Sequence, residues 1–166
     1  MEIRETYCAS ILTRTSGYLR EVCSHSLNPY VGCGYGNSSC GEGCYVRFNQ
    51  WLLRGRQWGS FVDVKVNADK VYYKTVQAER GWAARRGVPF SIFFSSSTDP
   101  WQPLERKFRV THRVLNAMLE EVPDILILQT HSSMVLDDMK CIVALDRLCD
   151  LRVHISIEGD QDSLPG

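Results

Sequence analysis

From residue 90 onward the sequence alternates short, unbroken apolar runs with stretches of helical period, and this alternation restricts the fold more than any other feature. Phe90-Ser91-Ile92-Phe93-Phe94, behind Gly87-Val88-Pro89, has the length and composition of a buried strand. Leu104, Phe108, Leu115, Met118, Leu119 and Val122 then fall on one helical face, which Pro123 closes. Ile125-Leu126-Ile127-Leu128-Gln129 is a second buried run. Met139, Ile142, Val143, Leu145, Leu148 and Cys149 mark the next helix, with Asp137 and Asp138 at its N-terminal end. Residues 151–157 form a third strand. Strand, helix, strand, helix in this order predicts right-handed crossovers and a parallel sheet, an α/β fold.

The third strand is not apolar on both faces: Leu151, Val153, Ile155 and Ile157 alternate with Arg152, His154 and Ser156. If the apolar set packs on the helices, the polar set faces the concave side of the sheet, and either a ligand or the solvent of an edge strand suits it equally. Upstream, Asn67 is positioned to cap a helix that turns Val71, Thr75, Ala78 and Trp82 to the core. Residues 24–27 give a weaker strand signal, and residues 1–22 read as an irregular N-terminal segment. At 166 residues the chain is expected to form one domain, 1–166.

Nineteen basic residues balance nineteen acidic ones, so no charge excess advertises nucleic acid or an anionic membrane, although a local groove can be basic on a neutral protein. Seven cysteines, an odd number, read as reduced thiols rather than a disulfide framework. The charged start Met1-Glu2-Ile3-Arg4-Glu5 is unlike a signal peptide, and no stretch approaches the roughly twenty apolar residues that cross a bilayer. A cytoplasmic protein without a membrane partner is the expectation.

Three cysteines lie in a glycine-rich loop, Asn28-Pro29-Tyr30-Val31-Gly32-Cys33-Gly34-Tyr35-Gly36-Asn37-Ser38-Ser39-Cys40-Gly41-Glu42-Gly43-Cys44-Tyr45-Val46-Arg47. Three thiolates gathered by such a loop can hold an iron–sulfur cluster and leave one iron free for another molecule. The glycines allow the loop to fold back on itself. A structural zinc knot, with Cys23 or His25 as fourth ligand, is the competing reading. Zinc loops favour two to four residues between paired cysteines, so the six between Cys33 and Cys40 suit them poorly. Cys8, Cys23, Cys141 and Cys149 are expected to lie elsewhere.

A polar turn, Ser96-Ser97-Thr98-Asp99-Pro100-Trp101-Gln102-Pro103-Leu104-Glu105, follows the strand at 90–94. It sits where α/β folds place ligands, at the C-terminal end of a parallel strand. Further on stand Gln129-Thr130-His131-Ser132-Ser133-Met134-Val135-Leu136-Asp137-Asp138 and Val153-His154-Ile155-Ser156-Ile157. Together with the cysteine loop these segments resemble the radical S-adenosylmethionine (SAM) superfamily, in its spore photoproduct lyase-like branch. That branch opens its loop with Asn-Pro-Tyr-Arg-Gly-Cys and leaves it with Cys-Tyr-Ala-Arg, over a shorter interior. Its second signature reads Thr-Asp-Pro-Tyr-Gln-Pro-Ile-Glu, and its third, Thr-Lys-Ser, is followed by Arg-Asp. Here Trp101, Leu104, His131 and Asp137 replace Tyr, Ile, Lys and Arg. The resemblance runs from about Ile11 to Ile157.

The resemblance implies a [4Fe–4S] cluster on Cys33, Cys40 and Cys44, and SAM lined by Tyr45, Ser97, Thr98, His131 and Ser156. It implies reductive cleavage of SAM to a 5′-deoxyadenosyl radical and an electron donor of the flavodoxin or ferredoxin type, with the substrate unnamed. It also implies a partial barrel of about six strand–helix units. Only about four are readable, the closing residues 159–166 read as a loop with another helix to follow, and a C-terminal complementing chain is a candidate partner. Two further readings are kept: a non-catalytic iron–sulfur or zinc remnant, and a nucleic-acid-binding module using Trp51, Arg54, Arg56 and Trp58 as a basic–aromatic patch.

Overall fold

The computed structural model describes residues 1–37, 40 and 43–157. The interior of the cysteine loop, Gly41 and Glu42 included, and the closing segment 158–166 lie outside the described residues, and with them the expectation about a following helix. The fold is mixed α/β with parallel strands. A five-stranded sheet runs in the order β2 (Leu12–Arg14), β3 (His25–Leu27), β6 (Ser91–Phe94), β7 (Ile125–Thr130), β8 (Asp150–Ile155). From β3 to β8 its neighbours are parallel, while β2 is antiparallel to β3. The four parallel strands coincide with the strand segments expected at 24–27, 90–94, 125–129 and 151–157. Their register places Phe94 beside Leu128 and Leu128 beside Val153, so the chain fills its centre from β6 and β7.

Three helices cover the sheet: α2 (Ala68–Arg85), α4 (Val110–Glu120) and α5 (Met139–Asp146), with α2 against α4 and α4 against α5. Val71, Tyr72, Val76, Val114, Leu115, Met118, Ile142 and Leu145 interleave with Leu27, Ile92, Phe94, Leu126 and Leu128 in one buried cluster. The buried face of α2 is rotated from the expected one. Ala68, Val71, Tyr72, Val76 and Ala83 point inward, while Ala78 is exposed. Asn67 occupies the cap position but does not cap with its side chain. Its amide instead closes both ways on the Cys8 backbone, accepting from Cys8 N at 2.9 Å and donating to Cys8 O at 3.0 Å.

The helix expected from Leu104 to Val122 is broken. A short α3 (Glu105–Phe108) ends at Arg109, whose backbone is left-handed with φ 51°, and α4 starts afresh. The cause is Glu105. It is buried and accepts from Thr111 N at 3.1 Å and His112 N at 3.0 Å, so its carboxylate caps the next helix, and the chain must turn back for it to do so.

The segment 1–22 is more regular than expected. β1 (Glu2–Thr6) pairs in parallel with β5 (Phe61–Lys65), which also takes β4 (Tyr30–Val31) on its other side, giving a second, three-stranded sheet. Phe61, the first residue of β5, packs in one buried cluster with Cys33 of the cysteine loop. Among the described residues no helix is long and apolar enough to cross a membrane.

His25 on β3 is completely buried, edge-on to Trp82 and Phe90, with its ring nitrogens at 3.0 Å from Glu79 Oε2 and 2.9 Å from Ser24 Oγ. Burial pushes its pKa below the ordinary value, with the Glu79 carboxylate working against that push. A histidine depressed in the folded state is protonated first in the unfolded chain, so its stabilising share is present above about pH 6.5 and lost as pH falls. Urea unfolding at pH 7.5 and 5.5 should show lower stability at the acid value, and His25→Gln should flatten that slope.

Candidate cofactor cavity

The C-terminal ends of β3, β6, β7 and β8 open on one rim, and the loops that leave them are tied together by buried side chains. Asn28, just past β3, accepts Ser97 N at 3.0 Å and Ser97 Oγ at 2.9 Å, and donates to Ser96 Oγ at 3.3 Å. Asp99 joins the β6 and β7 ends. Its carboxylate takes Trp101 N at 2.8 Å, Thr130 Oγ1 at 2.8 Å, His131 N at 3.0 Å, and stands 3.2 Å from His131 Nδ1. Asp99 therefore both turns the chain towards Trp101 and fixes the next strand's end.

The other members of the polar turn reach back to the cysteine loop. Gln102, fully buried, accepts Gly34 N at 2.7 Å. The Tyr30 hydroxyl donates to Glu105, which raises the tyrosine's pKa together with burial. Trp101 donates its indole N–H to Asp138 at 2.8 Å, and Asp138 in turn stands 2.6 Å from His112 Nδ1. The three segments singled out in the sequence thus form one buried polar scaffold. Gln102 and Glu105, which carry no expected role in the sequence, are structural ties, and Asp138, expected only at a helix N-terminus, is a third.

Beside this scaffold, and open to solvent on one side, lies a cavity of about 920 Å³ that Asn28, Tyr30, Asp99 and Thr130 help to line. Cys33, Cys40 and Cys44 line it, as do Tyr45, Ser97, Thr98, His131 and Ser156. All eight residues marked in the sequence therefore stand on one wall system. Cys8, Cys23, Cys141 and Cys149 do not line it, and neither does His25. The two fourth ligands considered for a zinc knot are thus elsewhere: Cys23 is directed at Leu19 O (3.7 Å) and His25 is enclosed by Glu79 and Ser24.

Cys33 is buried, and burial pushes its thiol up to about 11, against the backbone N–H groups of Asp99 and Tyr35. Cys44 lies close enough to add to that push. Cys40 Sγ stands 3.9 Å from His131 Nδ1, over which the Tyr35 ring is tilted at 4.7 Å. Among the described residues no three His, Cys, Asp or Glu side chains are gathered closely enough to hold a single metal ion. The thiolates of a cubane bind different irons and stand about 6–7 Å apart, a wider arrangement than the tetrahedron of one zinc.

The rim at the end of β6 carries strain and open valences. Ser95 holds a left-handed backbone, φ 69°, with its N–H on Leu27 O at 2.7 Å. Ser95 Oγ and Thr98 Oγ1 are buried with no hydrogen-bond partner among the described residues. Buried hydroxyls are normally satisfied, so two open ones beside a cavity suit a polar ligand. Tyr45 donates to Ser96 O while its ring stays exposed, and Ser156 N donates to Thr130 O at 2.9 Å. A cavity of this size with thiols, hydroxyls and an imidazole on its wall fits a cluster with an organic ligand beside it.

The basic–aromatic patch does not form one surface. Trp51 is exposed, but Trp58 is buried. Arg56 is committed to Asp63 by two contacts of 2.8 and 2.6 Å and lies 3.5 Å over the Phe61 ring.

Comparison with curated proteins finds a stretch of 115 residues that is 33% identical to a protein of Methanocaldococcus jannaschii described only as uncharacterized. The match covers 68% of this chain and 37% of that relative, so the chain spans well under half of it. No family model and no solved structure matches the chain.

Proposed function

We propose that this chain is a radical SAM protein that holds a [4Fe–4S] cluster through Cys33, Cys40 and Cys44 and SAM in the adjoining cavity. The observation that supports this most is the presence of all three cysteines on one cavity wall, facing the ends of β6, β7 and β8. Bound there, cluster and SAM supply reductive cleavage to methionine and a 5′-deoxyadenosyl radical. The chain's own residues do the positioning. Asp99 and Asn28 hold the strand-end loops in place, Gln102 fixes Gly34 at the start of the cysteine loop, and Ser95 and Thr98 offer hydroxyls to the ligand. An electron donor of the flavodoxin or ferredoxin type and a C-terminal complementing chain with further strand–helix units belong to this reading.

The competing reading is a non-catalytic zinc site, favoured by the approach of Cys40 to His131. Anaerobic reconstitution with iron and sulfide separates the two. About four irons per chain with the broad visible absorption of a cubane, followed by SAM binding, is the expected result. Stoichiometric zinc on the purified chain and no iron uptake would replace the cluster reading by the zinc one.

A further inference from the structure

We propose that Lys65 is the anion-recognising group of the cavity, which therefore takes a ligand bearing a carboxylate or a phosphate. Lys65 is the last residue of β5 and, among the described residues, the one lysine or arginine on the cavity wall. Its backbone is fixed by Lys65 N donating to Pro29 O at 3.0 Å. Its ammonium donates to Asn28 O at 2.7 Å, which uses one of its three N–H donors. No carboxylate answers the charge: Lys65 is in no ion pair among the described residues, and the titratable group acting on it is the Cys8 thiol. Loss of water around the ammonium pushes its pKa below the ordinary lysine value, with the Cys8 thiol acting against that push. Lys65 is half-buried, and lysines withdrawn from water are normally paired.

The cavity's other charged groups do not offset it. Asp99 is the one Asp or Glu on the wall among the described residues, and its oxygens are occupied by Thr130, Trp101 and His131. His131 is held against that same carboxylate. Hence Lys65 presents free donors and an unbalanced positive charge to the cavity, next to Asn28, whose side chain bonds Ser96 and Ser97 of the turn after β6. An ammonium in this position favours an oxyanion over a neutral group of the same shape. This inference goes beyond the cluster reading and stands without the cluster.

The test is calorimetric titration of the full chain with pyrophosphate, SAM and decarboxylated SAM, the cluster being reconstituted for the last two. At least one of the two probes that bear an anionic group, the phosphates of pyrophosphate or the carboxylate of SAM, should bind wild type, and Lys65→Met should weaken it by about tenfold or more, with Lys65→Arg in between. Decarboxylated SAM should bind wild type and Lys65→Met alike. An effect on SAM alone identifies the anion as its carboxylate, and an effect on pyrophosphate alone identifies a phosphate of the substrate. Iron loading of Lys65→Met should equal wild type, so a failed reconstitution counts against the cluster reading and leaves the pyrophosphate result standing. Should Lys65→Met not fold, reductive methylation of Lys65 in wild type, followed by mass spectrometry, gives the answer without a variant: the anionic probe protects it and decarboxylated SAM does not. Equal affinity of wild type and Lys65→Met for both anionic probes, no binding of either, or an unprotected Lys65 overturns the proposal.

Discussion

Replacing any one of Cys33, Cys40 or Cys44 with Ala should abolish cluster assembly, reducing iron per chain from about four to near zero in anaerobic reconstitution. A cubane that already leaves one iron to an exogenous ligand has no spare protein thiolate, so two cysteines cannot hold what three hold. The effect should be all or none rather than graded. It should also be local, because Cys40 and Cys44 are only partly buried and contribute little packing. Cys33 is the buried member and its replacement also leaves a small cavity, for which about 1 kcal/mol of lost stability is expected from the loss of one sulfur-sized group. By contrast, Cys8→Ser, Cys23→Ser, Cys141→Ser and Cys149→Ser should leave the iron content at the wild-type value, since none lines the cavity. Iron and sulfide analysis of the seven variants checks this directly. Wild-type iron in Cys40→Ala would remove that residue from the ligand set.

Much of the sheet was readable because parallel strands buried on both faces leave continuous apolar runs, as Ile125 to Leu128 do. Two of the departures share a cause: a side chain outside the local pattern decides the conformation. Asn67 has the composition of a cap, but its amide is claimed by Cys8, 59 positions earlier. Leu104 to Val122 shows one helical period, but that pattern is blind to a single left-handed residue, and Arg109 turns because Glu105 must reach Thr111 and His112. β1 was missed because four of its five residues are exposed and two of the five are glutamates, so its strand character comes from pairing with β5 rather than from its own pattern. The candidate site was legible as motifs, and their separation along the chain disguised that they are bonded to one another: Tyr30 to Glu105, Gly34 to Gln102, Trp101 to Asp138. Lys65 was not legible at all. A count of nineteen against nineteen charges cannot show that one lysine has been placed in a cavity without an acid beside it.

The purified chain should self-associate through β8, and charges placed on that strand should return it to monomer. The alternation in 151–157 is equally compatible with an apolar set packed on helices above a ligand face and with an edge strand that has one wet face. Only Leu151 is partly covered, whereas Val153, Ile155 and Ile157 are 41, 54 and 83% exposed. The reason is positional: β8 is the last strand of its sheet, pairs with β7 alone among the described residues, and has no described element on its far side. Among the described residues its outer row of N–H and C=O groups meets no partner and lies next to exposed apolar side chains, and α5, which contacts β8, adds the exposed Met139 and Val143. An open parallel edge with an apolar face is a template for another strand. Light scattering after size exclusion, at rising protein concentration, should show oligomers for the wild-type chain. Val153→Lys with Ile155→Lys should give a monomer of unchanged circular dichroism, because both side chains already face solvent and their replacement costs little packing. The same double variant should still load iron, since neither residue lines the cavity. A wild-type chain that stays monomeric at high concentration would mean that the edge is protected by something other than a second strand.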